Sequence, residues 1–191
     1  MLMERIIGAF TFRQGVYAEV EDDTNFTATA WILVAVVAFL NQLGSQASSE
    51  VGGWLIGAIV GTVFAVIGFA VGALIINFVG RTVYQAEVTF EELVRTLGLA
   101  YVWNVVGVLG ILTALSPALG CLLAPVMIAA WVLMAISWFR AAREALDLET
   151  GQTIVTVILG WLAVVAISIV AGLVLAALGL GAAAVGGLLG G

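Results

Sequence analysis

The stretch Thr96–Phe139, TLGLAYVWNVVGVLGILTALSPALGCLLAPVMIAAWVLMAISWF, decides the fold, because it runs for 44 residues without an Asp, Glu, Lys or Arg. As one helix rising about 1.5 Å per residue it would be roughly 66 Å long, about twice the ~30 Å thickness of a bilayer's hydrocarbon. It must therefore turn back. The turn signal near its middle is Leu115-Ser116-Pro117, since proline disfavours a helical conformation in the residue before it. One span ends at Leu115 and another follows Pro117, with Pro125 an expected kink inside the second.

Three further charge-free runs lie outside this stretch: Thr24–Ser49, Val51–Gly80 and Thr150–Gly191. With 63% hydrophobic and 9% charged residues, the chain carries more apolar surface than a water-soluble core can hide. The expected fold is an all-α polytopic membrane helix bundle, a single membrane domain over residues 1–191. About five transmembrane helices fall at 27–45, 52–79, 93–115, 118–139 and 153–178. Residues 179–191, six of them glycine, read as a tail rather than a sixth span.

The arginines test this count, since positive charge stays on the cytoplasmic side of a membrane. Arg5 and Arg13 precede the first span, Arg81 and Arg95 flank the connection between the second and third, and Arg140 and Arg143 follow the fourth. With five spans all six share one face; with Thr96–Phe139 as a single span the asymmetry collapses. The N-terminus is therefore expected in the cytoplasm and the C-terminus on the opposite side. Every acidic residue except Glu50 falls on the arginine face too. The first 23 positions carry Glu4, Arg5, Arg13, Glu19, Glu21, Asp22 and Asp23, and no small-residue cleavage site follows, so no cleavable signal peptide is expected.

Composition also bounds the chemistry. The chain has no histidine or lysine and one cysteine, Cys121. A serine or cysteine nucleophile needs a nearby base, and metals are most often held by histidine. Catalysis, metal binding and a bound cofactor are therefore not expected. A net charge of −6 argues against a nucleic-acid partner. No ionisable residue sits well inside a span, which weighs against a proton relay. The carboxylate pairs Glu91-Glu92 and Asp22-Asp23 lie at helix ends and read as solvated charge.

Small residues recur every four positions along the second span, at Gly53, Gly57 and Gly61 and again at Gly68 and Gly72, a pattern that lets another helix approach closely. The neighbour is another span of this chain, a second copy or another membrane protein. Asn104 is the most polar side chain deep in a span, with Asn41 and Asn77 nearer the ends of theirs. It is read as a helix-packing amide, or as part of a polar pathway with Thr62, Thr113 and Ser137. Trp31, Trp54 and Trp138 read as interfacial anchors.

The cytoplasmic segments carry their own helical signals. Thr89-Phe90-Glu91-Glu92 matches a capping box, so a helix is expected to begin at Phe90. Glu91 with Arg95, Arg140 with Glu144 and Arg143 with Asp147 stand four apart, the spacing of helical ion pairs. Leu2, Ile6, Ile7 and Phe10 recur at helical spacing beside Glu4, Arg5 and Arg13, so residues 1–26 read as a cytoplasmic interfacial segment. Together these residues form a candidate cytoplasmic docking surface.

Three segments resemble the Ypt-interacting protein (Yip) family in its bacterial branch. They are Glu4–Ala9 with Gly15-Val16-Tyr17 and the acidic run before Thr27–Trp31; Thr89–Ala100; and Ala141–Thr150. The resemblance implies a helical bundle with a cytosolic N-terminus, here in a bacterial cytoplasmic membrane. It also implies a part in membrane organisation or trafficking, where eukaryotic members meet Rab-type GTPases. The tyrosine-glycine-proline element of those proteins is missing, and Tyr101-Val102-Trp103 stands where the family often has proline, so a GTPase partner does not carry over. The leading reading is a non-enzymatic scaffold or accessory subunit acting through contacts with another membrane protein or a homo-oligomer. A small channel or carrier for a polar solute, and an accessory subunit of an energy-conserving complex, are the alternatives.

Overall fold

The computed structural model describes residues 2–47 and 51–178, except the Pro117 side chain. The Gly-rich segment 179–191 and Glu50 lie outside the described residues. Among those described, all regular structure is helical: α1 (Leu2–Phe10), α2 (Val16–Glu21), α3 (Phe26–Ser45), α4 (Val51–Val83), α5 (Phe90–Ala100), a 3-10 segment (Tyr101–Gly110), α6 (Ile111–Leu115), α7 (Pro117–Leu146) and α8 (Thr150–Ala177). Five helical stretches are long and apolar enough to cross a membrane, with α5, the 3-10 segment and α6 forming the third. The chain is an integral membrane protein.

The turn at Ser116 has an extended backbone, φ −159° and ψ 129°, between α6 and α7. The capping box at Thr89 is present in both directions: Thr89 Oγ1 accepts from the Glu92 amide and the Glu92 carboxylate accepts from the Thr89 amide. These contacts satisfy donors that the first turn of a helix cannot satisfy itself.

Within the bundle α8 lies along α4, while α3 packs on both α4 and the 3-10 segment. The glycine pattern on α4 is divided between two neighbours. Gly57 faces Gln46, the C-cap of α3, and Gly61 faces Gln42 within it, whereas Gly68 and Gly72 face Ile167 and Val164 of α8. Gly160 of α8 completes the second contact: a Cβ there would stand 2.6 Å from Ile76 and 3.1 Å from the Gly72 carbonyl oxygen. Gly53 is only half-buried.

The most deeply buried side chains, among them Phe69, Ile76, Leu93 and Leu97, cluster towards the end of the bundle that bears the charges. The other half of α7 is exposed along Leu122, Val126 and Ile128, apolar surface that suits lipid.

Expectation and structure part company in the third span. An α-helix was expected from 93 to 115, but Tyr101–Gly110 winds as a 3-10 helix, unusually long for a form that rarely exceeds three or four residues. At three residues per turn, positions three apart fall in one row, and here these are Tyr101, Asn104, Gly107 and Gly110. In an α-helix the same row would drift round the axis. Held straight, it lies against α3: Asn41 Nδ2 donates to the Asn104 carbonyl at 2.9 Å, and a Cβ on Gly107 or Gly110 would strike Asn41 or the Gly44 backbone. Backbone meets backbone here, which only glycine permits.

Candidate functional site

Three of the four connections at the charged end contain a non-glycine residue at positive φ: Phe12, Gln85 and Asp147. Such backbone is uncommon outside glycine and needs support from its surroundings. Phe12 has it. The Arg140 guanidinium lies 4.9 Å over the Phe12 ring and donates to the Phe12 carbonyl at 3.4 Å, while that ring stacks on Trp103 at 5.7 Å.

The N-terminal helices are built into this end rather than only resting on a surface. α1 leaves Leu2, Met3 and Ile7 exposed but buries Gly8 and Ala9. Val16, Tyr17 and Val20 of α2 are buried against α5 and α7, and the Tyr17 hydroxyl hydrogen-bonds Ser137 Oγ. Burial pushes the Tyr17 hydroxyl's pKa up, against the opposing pull of that bond.

Arg95 corrects the sequence reading most. It was expected on the surface paired with Glu91, yet it is 5% exposed. Its Nε donates to the carbonyls of Val20 at 3.1 Å and Glu21 at 2.9 Å, Nη1 to Thr27 Oγ1 at 3.1 Å, and Nη2 to the Glu21 carbonyl. The last carbonyls of α2 have no partner in their own helix, and a planar guanidinium satisfies several at once. Glu91 stays exposed and unpaired with it.

The other two expected ion pairs also fail to form. Arg140 turns to Phe12 instead of Glu144. Asp147 caps α7 in left-handed backbone, its amide donating to the Arg143 carbonyl, so it has left the helical face on which the two side chains would meet. Ion pairs among the described residues include Arg5 with Asp23 at 2.7 Å and Arg13 with Glu19 at 2.6 Å. Charged residues exposed at this end include Asp22, Arg81, Glu87, Glu91, Arg140, Arg143, Glu144, Asp147 and Glu149. Glu21 is pushed up to about 7, first by burial and then by the carboxylates of Glu92, Asp22 and Glu144, with Arg95 opposing.

Deep among the spans lies a cavity of about 270 Å³ whose lining includes Asn41, Gln42, Tyr101, Asn104, Trp138 and Trp161. A second, of about 180 Å³, adjoins it through Asn41, Asn104, Trp131 and Met134. Asn104 does bridge helices, but through its backbone carbonyl; its own amide donates to the Tyr101 carbonyl at 3.1 Å. Trp138 is 3% exposed and therefore no interfacial anchor.

The pathway expected from Asn104, Thr62, Thr113 and Ser137 is not assembled. Thr62 and Thr113 donate to carbonyls of their own turns, and Ser137 is taken by Tyr17.

The family model of the Yip1 domain matches residues 7–172, from within α1 to within α8. The chain belongs to the Yip1 domain family. No curated protein and no solved structure matches it. The matched region of this Yip1-domain chain takes in both the Arg95 knot and the cavity. Sequence reasoning missed the role of Arg95, because its partners are carbonyls more than 60 positions away that carry no residue signature. A readable signal for the two cavities was the three-residue spacing of Tyr101, Asn104 and Gly107, which line them.

Proposed function

We propose that this Yip1-domain protein is a non-catalytic membrane scaffold or accessory subunit whose charged end faces the cytoplasm and docks a protein partner bearing a basic segment. The observation that supports this is the fate of the arginines. Arg5 and Arg13 are consumed by ion pairs, Arg95 by buried carbonyls and Arg140 by Phe12. What faces outward is mainly acidic: Asp22, Glu87, Glu91, Glu144, Asp147 and Glu149, relieved by Arg81, Arg140 and Arg143. Complementary charge steers a partner and fixes its register more than it adds affinity. The one-sided arginines support the cytoplasmic placement, and the family resemblance supports a bacterial cytoplasmic membrane.

The test is recovery of stoichiometric companions of the tagged full chain from its native membranes in mild detergent. The triple variant Glu91→Gln, Glu144→Gln, Asp147→Asn is expected to lose most of a companion that the parent retains, with unchanged elution of the protein itself. Equal recovery by parent and variant removes the acidic docking surface, and no companion for the parent removes the scaffold reading.

A further inference from the structure

The larger cavity opens among side chains that do not merely fill a core. Rings follow one another edge to face along its wall: Tyr101 to Phe69 at 5.5 Å, Phe69 to Trp138 at 6.0 Å, Trp138 to Trp161 at 6.4 Å, with Trp161 tilted against Trp131 at 5.3 Å. Edge-to-face packing covers at most one face of each ring at a contact, and a second face can take a flat guest. The donors around it are underused. Trp138 Nε1 is buried with no acceptor, and so is Nε1 of Trp103 on the adjoining cavity. The Gln42 carbonyl oxygen accepts from Ser45 and Gln46, leaving its amide nitrogen without a partner among the described residues. A buried unsatisfied donor is costly and rare in folded proteins, so one on each of two adjoining cavities requires an explanation.

Charge and access narrow the guest further. No Asp, Glu or Arg lines either cavity, so the ligand is uncharged. Counting inward from Arg81, Arg140 and Arg95, the last charges before each span, Phe69, Trp131 and Asn104 lie roughly 13–18 Å deep at ~1.5 Å per α-helical and ~2.0 Å per 3-10 residue, within the hydrocarbon. Trp131, Val165 and Ser168, also on the lining, are exposed on the outer surface of the bundle where α8 touches α7 only lightly. A ligand therefore enters sideways from lipid. Its size, at the small end for ligand sites, admits one or two fused rings with any tail left outside.

We propose that this cavity binds the ring of a membrane-soluble quinone between tryptophan faces, its carbonyl oxygens accepting from Trp138 Nε1 and the Gln42 amide. A saturated acyl chain would use neither the ring faces nor the donors, and a charged solute would find no counter-charge.

The test is tryptophan quenching of the full chain in phosphatidylcholine nanodiscs titrated with menadione, a short naphthoquinone. Saturable quenching at one menadione per chain is expected. Trp138→Phe, which keeps a ring and removes the donor, should weaken binding about threefold to tenfold, the scale of one hydrogen bond. Ala65→Phe, which fills the cavity, should abolish the saturable component. Quenching that rises linearly and equally in the parent and Ala65→Phe overturns the site, as does displacement of menadione by decanol at equal concentration. Should Ala65→Phe fail to fold, unchanged affinity in both Trp138→Phe and Gln42→Leu overturns it instead.

Discussion

Replacing Arg95 with methionine keeps an unbranched side chain in the pocket and removes the guanidinium. Two carbonyls, of Val20 and Glu21, and the Thr27 hydroxyl then lose their donor. A buried acceptor without a partner costs ~1–3 kcal/mol, so the two carbonyls put the loss at about 2–6 kcal/mol. Relief of the desolvated charge offsets the upper part of that range. We expect α2 to open more easily by ~2–4 kcal/mol, as a local event that leaves the spans assembled. Amide exchange over Val16–Glu21 should then rise about 30-fold to 700-fold, measured by hydrogen–deuterium mass spectrometry of the full chain in nanodiscs. Glu91→Gln is the control: it removes the partner that helical spacing assigns to Arg95 and should leave exchange in α2 unchanged. If Glu91→Gln loosens α2 as much as Arg95→Met, or if Arg95→Met leaves its exchange unaltered, the buried knot does not hold the N-terminal cap.

The same cap should respond to pH. Because Glu21 is pushed up to about 7 in the folded chain from an ordinary 4.5, the folded state binds more protons between those values, and stability falls as pH rises through them. Exchange in α2 should therefore be slowest near pH 5 and rise towards pH 8 after correction for intrinsic rates, and Glu21→Gln should flatten the profile. For the α4 and α8 contact, Gly160→Ala forces a methyl group towards Ile76 and the Gly72 carbonyl and should cost about 1–3 kcal/mol of unfolding free energy in detergent. Gly172→Ala, where nothing stands within 4 Å, should be neutral or stabilise by up to ~1 kcal/mol; equal losses at the two glycines would count against the α4 and α8 packing.

What could be read from residues alone was what depends on solvent and on neighbours in sequence. Charge-free length and the Ser116-Pro117 turn are local signals of lipid and of chain reversal, and the described helices follow them. Thr89 with Glu92 is a local exchange of hydrogen bonds and formed as read. Arg95 and Arg140 were misplaced because four-residue spacing shows only which contacts a helix offers, and Trp138 because tryptophan's preference for the membrane interface says nothing of its packing. Backbone carbonyls at the end of α2, a strained Phe12 and the aromatic wall beside Phe69 compete for the same side chains, and these competitors become visible only once the chain is folded. The glycines of α4 announced close approach but not the neighbour, which proves to be α3 at Gly57 and Gly61 and α8 at Gly68 and Gly72.

The 3-10 segment has a mechanical consequence. Its ten residues rise about 2.0 Å each in place of ~1.5 Å, so the third span gains about 5 Å over an all-α course. Each residue also advances about 120° rather than ~100°, which winds the two ends of the segment about 200° further apart. Length and rotation of Ile111–Leu115 are thereby geared together like a screw. Any rewinding towards α would draw that outer end inward while turning it, parting Gly110 from Gly44 and moving the wall that the two cavities share.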